Sequence, residues 1–337
     1  MAKMIGLDFD SDSVRAAEVS GLGTAEPRVE RYGEVRLPPG AVVNGEVVEP
    51  NTVADALQRL WQSVKFSTRA VALGIGSHRV IARPLVVEDG RPEQVRSALP
   101  MYADELLPFP TDEALMDFYP IERPADQPGR VRGLLVAAAR DAVDDNVRTV
   151  RRAKLHPEAV DLVPFALART HLRNASAQGT VGLVEVGSSS TNVLIAVHGI
   201  PQFLRIIPSG GDEVTRHLAA LLGIEEEAAA DMVDGRDGMA PDREALLDAT
   251  SPLVNAIANT LDYYANTHAD GTLQHILLAG RSAGVPYLQD QLQARIRRMV
   301  TPADPLEGVR IGKKVDPAVI RGGSPAVAIG LAMGAAS

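Results

Sequence analysis

A short strand–turn–strand pattern occurs twice in this chain of 337 residues. The first copy, IGLDFDSDSVRAAEV, covers Ile5–Val19, and the second, VGLVEVGSSSTNVLIAV, covers Val181–Val197. In each copy an apolar strand ends in a carboxylate, Asp8 or Glu185, and a loop of small hydroxyl or acidic residues leads into a second apolar strand. Because the copies lie far apart in the chain, they predict two similar half-molecules that face each other across a cleft.

The two loops have a composition suited to phosphate and metal binding. Small residues in a tight turn allow backbone N–H groups to point inward and form a nest for phosphate oxygens. The carboxylates at the strand ends, Asp8 and Glu185, can then hold a hydrated Mg²⁺ beside those phosphates. For either loop taken alone, a capped surface turn or a plain serine-rich turn is the alternative interpretation.

Composition excludes several classes of function. The net charge is −9 and no cluster of Lys and Arg is interleaved with aromatic residues, so we expect no nucleic-acid partner. The absence of cysteine excludes disulfides and thiolate metal sites and is typical of a reducing compartment. No apolar run approaches the ~18 residues that span a bilayer, and no basic amphipathic tail is present. We therefore expect a cytoplasmic protein without direct membrane insertion, recruited to the inner face of the membrane through partners.

Periodicity predicts strands and helices in alternation, with an α+β block at about residues 80–139. Asn44–Gly45 predicts a hairpin turn between two short strands. The helices that we predict and return to below are Asn51–Lys65 with Asn51 as N-cap, Pro92–Leu106 with a kink at Pro100, Glu158–Leu172, Ser209–Gly223, 241–268 with a break at Pro252, and Tyr287–Val300.

Two further motifs resemble sites of other chemistry. AGRSAG at Ala279–Gly284 follows a strand and precedes a helix, so its backbone can approach a nucleoside. It also matches the G-x-S-x-G nucleophile elbow, but that fold requires a His after Ser282, and the last histidine is His275. GVRIGKK at Gly308–Lys314 has neither the glycine spacing nor the hydroxyl residue of a P-loop. We therefore exclude a hydrolase of this type and a P-loop.

The order of these motifs resembles that of the actin-like ATPase superfamily. Within it the chain is most similar to the PilM family of type IV pilus assembly, and more distantly to the FtsA division proteins. The resemblance covers nearly the whole chain and is carried by an ordered set of segments: IGLDFDSDSVRAAEV, VVNGEVVEPNTVADAL, YADELLPFPTDEALMDFYPI, KLHPEAVDLVPFALAR, EVGSSSTNVLI, FLRIIPSGGDEVTRHLA, ILLAGRSAGVPYL and SPAVAIGLAMG.

This resemblance implies a two-lobed α/β fold with a duplicated βββαβα core and an FtsA/PilM-type α+β insert in the first lobe. In the first lobe, the implied core (1A) covers 1–79 and 140–176, and the insert (1C) covers 80–139. In the second lobe, the implied core (2A) covers 177–223 and 270–337, and a helical subdomain (2B) covers 224–269. The range 140–176 includes a connecting helix, and the range 270–337 includes a closing helix. The helices Glu158–Leu172 and Ser324–Gly334 would pair under the cleft, where alanine and glycine permit close approach.

The resemblance also implies ATP and Mg²⁺ as cofactors held between the lobes. The implied nucleotide-binding residues are Asp8, Asp10, Ser11, Asp12, Ser13, Gly187, Ser188, Ser189, Ser190, Thr191, Gly210, Gly211, Gly280, Arg281 and Ser282. The implied metal ligands are Asp8 and Glu185, and no catalytic residue is implied. Asp161, on the first connecting helix, is a further candidate for a polar contact.

Several residues depart from the family pattern. Asp10 replaces a glycine, Asp12 a small hydroxyl residue, Glu185 an aspartate and Arg281 a glycine. Two unit charges ~5 Å apart at an effective dielectric constant of ~20 repel by about 3 kcal/mol, so Asp10 disfavours a phosphate unless Mg²⁺ bridges the two. The segment Ile224–Val233 also lacks the lysine that often supports the adenosine. We therefore expect ATPase activity to be weak or absent.

By this resemblance the protein is a scaffold of pilus assembly that recruits the N-terminal cytoplasmic tail of a PilN-like membrane protein. The tail would bind in extended form in a groove between the first lobe and the insert, and nucleotide would tune its affinity through lobe closure. A pilus assembly ATPase or platform protein, or a second copy of the chain, are further partners left open. The alternatives are a small-molecule kinase of the same superfamily and an FtsA-like polymerising division protein.

Overall fold

The computed structural model of the protein describes residues 3–24, 26–173, 177–235, 242–268 and 272–335. Its strands, β1 to β16 in chain order, are Lys3–Phe9, Ser13–Ser20, Arg28–Arg36, Val42–Val43, Glu46–Val47, Ala70–Ile75, Val80–Glu88, Ala114–Glu122, Arg130–Ala139, His156–Leu162, Thr180–Val186, Thr191–Val197, Ile200–Ile207, His275–Ala279, Met299–Pro302 and Arg310–Ile311. Its helices, α1 to α10, are Pro50–Val64, Pro92–Ala103, Arg140–Arg152, Val163–His171, Gly211–Leu222, Glu226–Asp234, Arg243–Thr267, Leu288–Ile296, Pro317–Gly322 and Ala326–Gly334.

Two mixed sheets with matching topology form the centre of the molecule. The first has the order β10-β6-β1-β2-β3-β16 and the second the order β13-β12-β11-β14-β15. In both, three consecutive antiparallel strands (β1–β3 and β11–β13) are followed by a parallel strand, β6 beside β1 and β14 beside β11. The predicted α/β fold with a duplicated core is confirmed, and each sheet with its covering helices is termed a lobe below.

A third sheet, with the order β7-β9-β8, stands beside the first lobe and is covered by α2. All three strands lie within the segment predicted as the insert, and this small sheet with α2 is termed the insert below. The division of the chain into domains remains a prediction. Its boundaries at 176/177 and 269/270, and the predicted helix start at 241, fall on or beside residues outside the described ranges.

The helices α4 and α10 pack against each other where small residues allow their backbones to meet. A Cβ atom added to Gly330 would lie 1.9 Å from the carbonyl oxygen of Ala166, and one added to Gly6 would lie 1.9 Å from that of Ala328. The hydroxyl of Thr170 on α4 donates a hydrogen bond of 2.7 Å to the carbonyl oxygen of Ala326 on α10. The predicted pairing of connecting helices is therefore present, with backbone in direct contact with backbone.

Several predicted elements were wrong in extent. The helix predicted from Glu158 begins only at Val163, because His156–Leu162 forms strand β10 beside β6, with inward and outward residues alternating. The helix predicted to end at Val300 stops at Ile296, because Arg297 adopts a left-handed conformation and Met299–Pro302 pairs with β14.

The predicted N-cap and proline effects also need correction. Asn51 is not the N-cap of α1: Glu49 holds that position, and the side chain of Asn51 accepts a hydrogen bond from Arg152. Pro252 does not break α7, because burial of Leu253, Val254 and their apolar neighbours on both sides holds the helix together. Pro100 likewise lies inside α2, which is shorter than predicted and ends at Ala103.

Candidate functional site between the lobes

The two repeated hairpins turn in the same way. In the first, the amide of Asp10 donates a hydrogen bond of 2.9 Å to the carbonyl oxygen of Ser13. In the second, the amide of Gly187 donates one of 2.9 Å to that of Ser190. The four-residue turns Asp10–Ser13 and Gly187–Ser190 are termed the acidic loop and the serine loop. The repeat predicted from the sequence is therefore a geometrical repeat.

The residue opposite the strand-end carboxylate differs between the copies. Asp8 is paired across the strands with Arg15, and Glu185 with Asn192. Arg15 is almost fully buried and lies 3.3 Å from Asp8, 2.9 Å from Asp10 and 3.4 Å from Asp12. Its Nε atom lies 3.5 Å from Glu34 on β3. These four carboxylates, termed the acidic cluster, therefore surround one buried guanidinium.

Sequence reasoning missed Arg15, although the signal was present. A charged residue in the fully buried strand β2, directly opposite a carboxylate in a hairpin, is a candidate for a buried ion pair. Burial opposes the charge of Arg15, but the carboxylates of Asp10, Asp8 and Glu34 outweigh it and raise its pKa. For Asp8 the effect of burial is larger than the attraction of Arg15, so the pKa of the Asp8 carboxyl is raised to about 6.

The second hairpin places its carboxylate in a less charged setting. Burial raises the pKa of Glu185 to about 8, and the hydrogen bond of 2.8 Å from Nδ2 of Asn192 lowers it only in part. Glu185 is therefore largely protonated at neutral pH. No described residue bonds the amides or hydroxyls of Ser188, Ser189 or Ser190. The serine loop thus offers free donors around a neutral acid.

Two further predicted segments of the second lobe lie against the serine loop and the strand that enters it. The amides of Gly211 and Asp212, at the start of α5, donate hydrogen bonds of 2.9 Å to the carbonyl oxygens of Gly187 and Ser188. Gly280 has φ +100°, and a Cβ atom there would lie 2.3 Å from the carbonyl oxygen of Val186. Glycine is therefore required at this close approach.

The glycines before α5 leave similarly little space. A Cβ atom on Gly210 would lie 2.5 Å from the carbonyl oxygen of Gly187. One on Gly211 would lie 2.1 Å from the hydroxyl oxygen of Ser282. The hydroxyl of Thr191 closes the base of the loop by donating a hydrogen bond of 2.8 Å to the carbonyl oxygen of Ser209. The structure therefore brings together the candidate residues predicted in the second lobe.

The acidic loop and the turn at Gly280–Ser282 meet across the cleft. Nη1 of Arg281 lies 2.7 Å from Asp12 and 3.4 Å from Glu34. Burial, followed by the charges of Asp10 and Asp12, raises the pKa of Asp212 at the start of α5. The predicted residues of the two lobes therefore face one another, with Arg281 as a direct ionic link between them.

The site fits phosphate better than it fits a metal ion. The free amides and hydroxyls of the serine loop are the donors that phosphate oxygens require. In contrast, Asp8 is paired with Arg15, and Glu185 accepts a hydrogen bond of 2.8 Å from Nδ2 of Asn192, so neither implied ligand is a free carboxylate. Within the described ranges, no three His, Asp or Glu side chains are placed to hold a metal ion. The residues present do not fit Mg²⁺.

A separate groove of about 420 Å³ lies between the insert and the first lobe. Its walls are β8 and β10, which are the edge strands of their respective sheets. The rings of Tyr119 and Phe165, 4.8 Å apart, line it together with Leu115 and the half-exposed Val160. Asp161 also lines this groove, where its carboxylate lies 2.6 Å from Arg169.

Comparison with known proteins agrees with this architecture. The family model described as "Type IV pilus assembly protein PilM" matches residues 6–336. The cell division protein FtsA of Streptococcus pneumoniae is 27% identical over 129 residues, which are 37% of this chain. That match spans only 28% of the length of FtsA.

Solved structures establish the fold. The structure of a PilM–PilN type IV pilus biogenesis complex superposes with a TM-score of 0.82 at 22% identity, covering 100% of this chain and 99% of that one. MreB5 of Spiroplasma citri bound to ADP superposes with a TM-score of 0.51 at 12% identity, covering 91% and 95%. Of the helices in the described ranges, none is both long and apolar enough to cross a bilayer. The chain belongs to the PilM family of type IV pilus assembly proteins.

Proposed function

We propose that this protein is an actin-fold scaffold that recruits the N-terminal cytoplasmic tail of a PilN-like protein at the cytoplasmic face of the membrane. The observation that carries the proposal is the groove between β8 and β10, in a chain of the PilM family. The similar solved structure is a complex of a PilM protein with PilN, which supports the same class of partner here.

The groove has the features that an extended peptide requires. An edge strand presents backbone N–H and C=O groups that no neighbouring strand uses, and an added peptide strand can bond to them. Here two such edges border one apolar floor that includes Tyr119 and Phe165. Backbone bonds would hold the tail, and the floor would select apolar side chains at alternate positions.

The cleft between the lobes would serve regulation instead of catalysis. The free donors of the serine loop support nucleotide binding there, as does the ADP-bound structure of the similar fold in MreB5. The site has no free carboxylate at either implied metal position, which supports weak or absent hydrolysis. A nucleotide that binds one lobe arrangement better than the other would shift the population and so change the affinity of the groove for the tail.

Binding of a synthetic tail peptide of a PilN-like protein to the full chain tests this proposal, with fluorescence anisotropy as the readout. We expect Val160→Lys to weaken binding at least tenfold, because it places a charge on the apolar rim of the groove. Val319→Lys is the matched control, since Val319 is 50% exposed on α9, compared with 44% for Val160. Equal affinities for wild type and Val160→Lys would overturn the groove as the binding site.

A further inference from the structure

The carboxylates of the acidic cluster are paired with cations that the chain itself supplies. Oxygens of Asp8, Asp10, Asp12 and Glu34 lie within 2.9–3.5 Å of the guanidinium of Arg15. A second guanidinium, that of Arg281, reaches the same acidic cluster from the opposite lobe. A binding site for Mg²⁺ would need these same carboxylate oxygens.

We propose that Arg15 and Arg281 act as the built-in cations of this cleft in place of a divalent metal ion. Arg281 joins the two lobes, and a nucleotide held by the serine loop binds without Mg²⁺. The statement that a nucleotide binds without Mg²⁺ rests on the nucleotide role proposed above. The role of Arg15 and Arg281 as cations of the cleft stands independently of it.

The cost of admitting a metal ion supports this assignment. Mg²⁺ takes oxygen ligands in near-ideal octahedral geometry and gives up its water reluctantly. To take ligands from the acidic cluster it would have to displace Arg15, whose side chain is only 3% exposed. A buried guanidinium without its partners is strongly destabilising. Asp10 is further engaged, because its Oδ1 atom accepts a hydrogen bond of 2.8 Å from the amide of Ser11.

The position of Arg281 supports its role toward phosphate. It stands between Gly280, which lies against Val186 directly before the serine loop, and Ser282, which lies against Gly211 at the start of α5. Its side chain is about one-third exposed, so an incoming ligand can reach it. A guanidinium forms strong, directional hydrogen bonds with carboxylate and with phosphate. A phosphate oxygen can therefore take the place of Asp12 at Arg281 and keep the lobes joined.

The first test is calorimetry of ATP binding to the full chain in excess EDTA and in excess Mg²⁺. We expect the two dissociation constants of the wild type to agree within about threefold. We expect Arg281→Gln to weaken ATP binding in EDTA by about tenfold, which is the effect of losing one charge-assisted hydrogen bond. Arg295→Gln is the matched control, because it removes another second-lobe arginine, paired with Asp262 within the same lobe, at similar exposure, 42% compared with 36%. Loss of wild-type binding in EDTA, or unchanged binding by Arg281→Gln, would overturn the metal-free assignment.

The second test uses no nucleotide. Hydrogen–deuterium exchange of the nucleotide-free chain follows peptides that cover residues 8–15 and 185–192. We expect Arg281→Gln to speed exchange there about fivefold, as for one lost surface ion pair, and Arg295→Gln to leave it unchanged. Mg²⁺ alone should change neither exchange nor Tm of the wild type. If the wild type bound no ATP in either calorimetric condition, the nucleotide role would fail. Unchanged exchange in Arg281→Gln, or a rise in the Tm of the wild type on addition of Mg²⁺, would instead overturn the role of the two arginines as built-in cations.

Discussion

The first and second hairpins have the same backbone and opposite chemistry. Both turn through four residues, and both strands that enter the turn carry a buried carboxylate as their last residue but one. The cross-strand partner is Arg15 in one and Asn192 in the other. Arg15 gathers further carboxylates around itself, whereas Asn192 leaves Glu185 to take up a proton. The cross-strand residue, together with the aspartates of the acidic loop, thus makes one turn an ion-pair network, whereas the other turn carries no ion pair.

The difference also shows what duplication preserves. Turn length and hydrogen-bond pattern are set by the backbone, so they are the same in both halves. Charge is set by side chains, which the two copies do not share. The acidic loop therefore presents carboxylates to the cleft where the serine loop presents free donors, and the two halves contribute unequally to the cleft.

The largest expected effect comes from removing the arginine. Arg15→Met leaves Asp8 and the partly buried Asp10 without their cation, and we expect it to lower the free energy of unfolding by about 3–5 kcal/mol. Urea denaturation at neutral pH measures this loss. Asn192→Leu is the counterpart in the second hairpin and should cost about 1–2 kcal/mol, because Glu185 is neutral there. Equal losses in the two variants would show that the hairpins do not differ in charge state.

The next prediction concerns pH. The folded pKa of Glu185, about 8, lies above its ordinary value of 4.5, so the unfolded chain releases this proton first as pH rises. Stability from this group is therefore fully present below about pH 4.5 and is lost progressively up to about pH 8, by roughly 1 kcal/mol per pH unit.

Glu185→Gln isolates that contribution, because glutamine resembles the protonated acid. We expect the variant to match wild type near pH 5 and to exceed its free energy of unfolding by about 3 kcal/mol at pH 8. Urea melts at a series of pH values measure the difference. Glu227→Gln, at an exposed position, is the control and should run parallel to wild type. A constant offset between Glu185→Gln and wild type at all pH values would contradict the prediction.

The smallest expected effect is on the acidic loop. An unscreened Asp10 would repel phosphate by about 3 kcal/mol, more than a hundredfold in affinity. Since Arg15 lies 2.9 Å from Asp10, most of that repulsion is already offset. We expect Asp10→Gly to bind ATP within about threefold of wild type in calorimetry. Much tighter binding would show uncompensated repulsion, and loss of binding would identify Asp10 as a ligand.

Much of the fold could be predicted from the sequence because its signals are local. The repeated strand–turn–strand pattern indicated the two lobes, and the glycines and alanines of α10 indicated its close packing. The strand β10 was missed because His156–Leu162 precedes a helix without a break in composition, and pairing with β6 decides its conformation. Likewise, Met299–Pro302 becomes a strand only through its neighbour β14.

The site was predicted in part for a similar reason. Residues that form the loops were found because small and acidic residues in a turn are recognisable locally. The ion pairing and protonation of the carboxylates could not be predicted, because they depend on burial and on distant partners. Examples of such partners are Glu34, from another strand, and Arg281, from the other lobe. Asp161 was interpreted as part of a helix under the cleft, whereas it lies on β10 and lines the groove between the insert and the first lobe.

The contact of α10 with β1 has a consequence for how the chain folds. Strand β1 ends at Phe9 and α10 begins at Ala326, yet Gly6 rests directly on the backbone of Ala328. Strand β16 likewise extends the first sheet beside β3. During synthesis, the earliest strands therefore emerge long before the segments that cover them. The face that α10 covers must stay exposed until translation has passed residue 334, so the contact that closes this lobe has one of the largest sequence separations that the chain allows, a feature that slows folding.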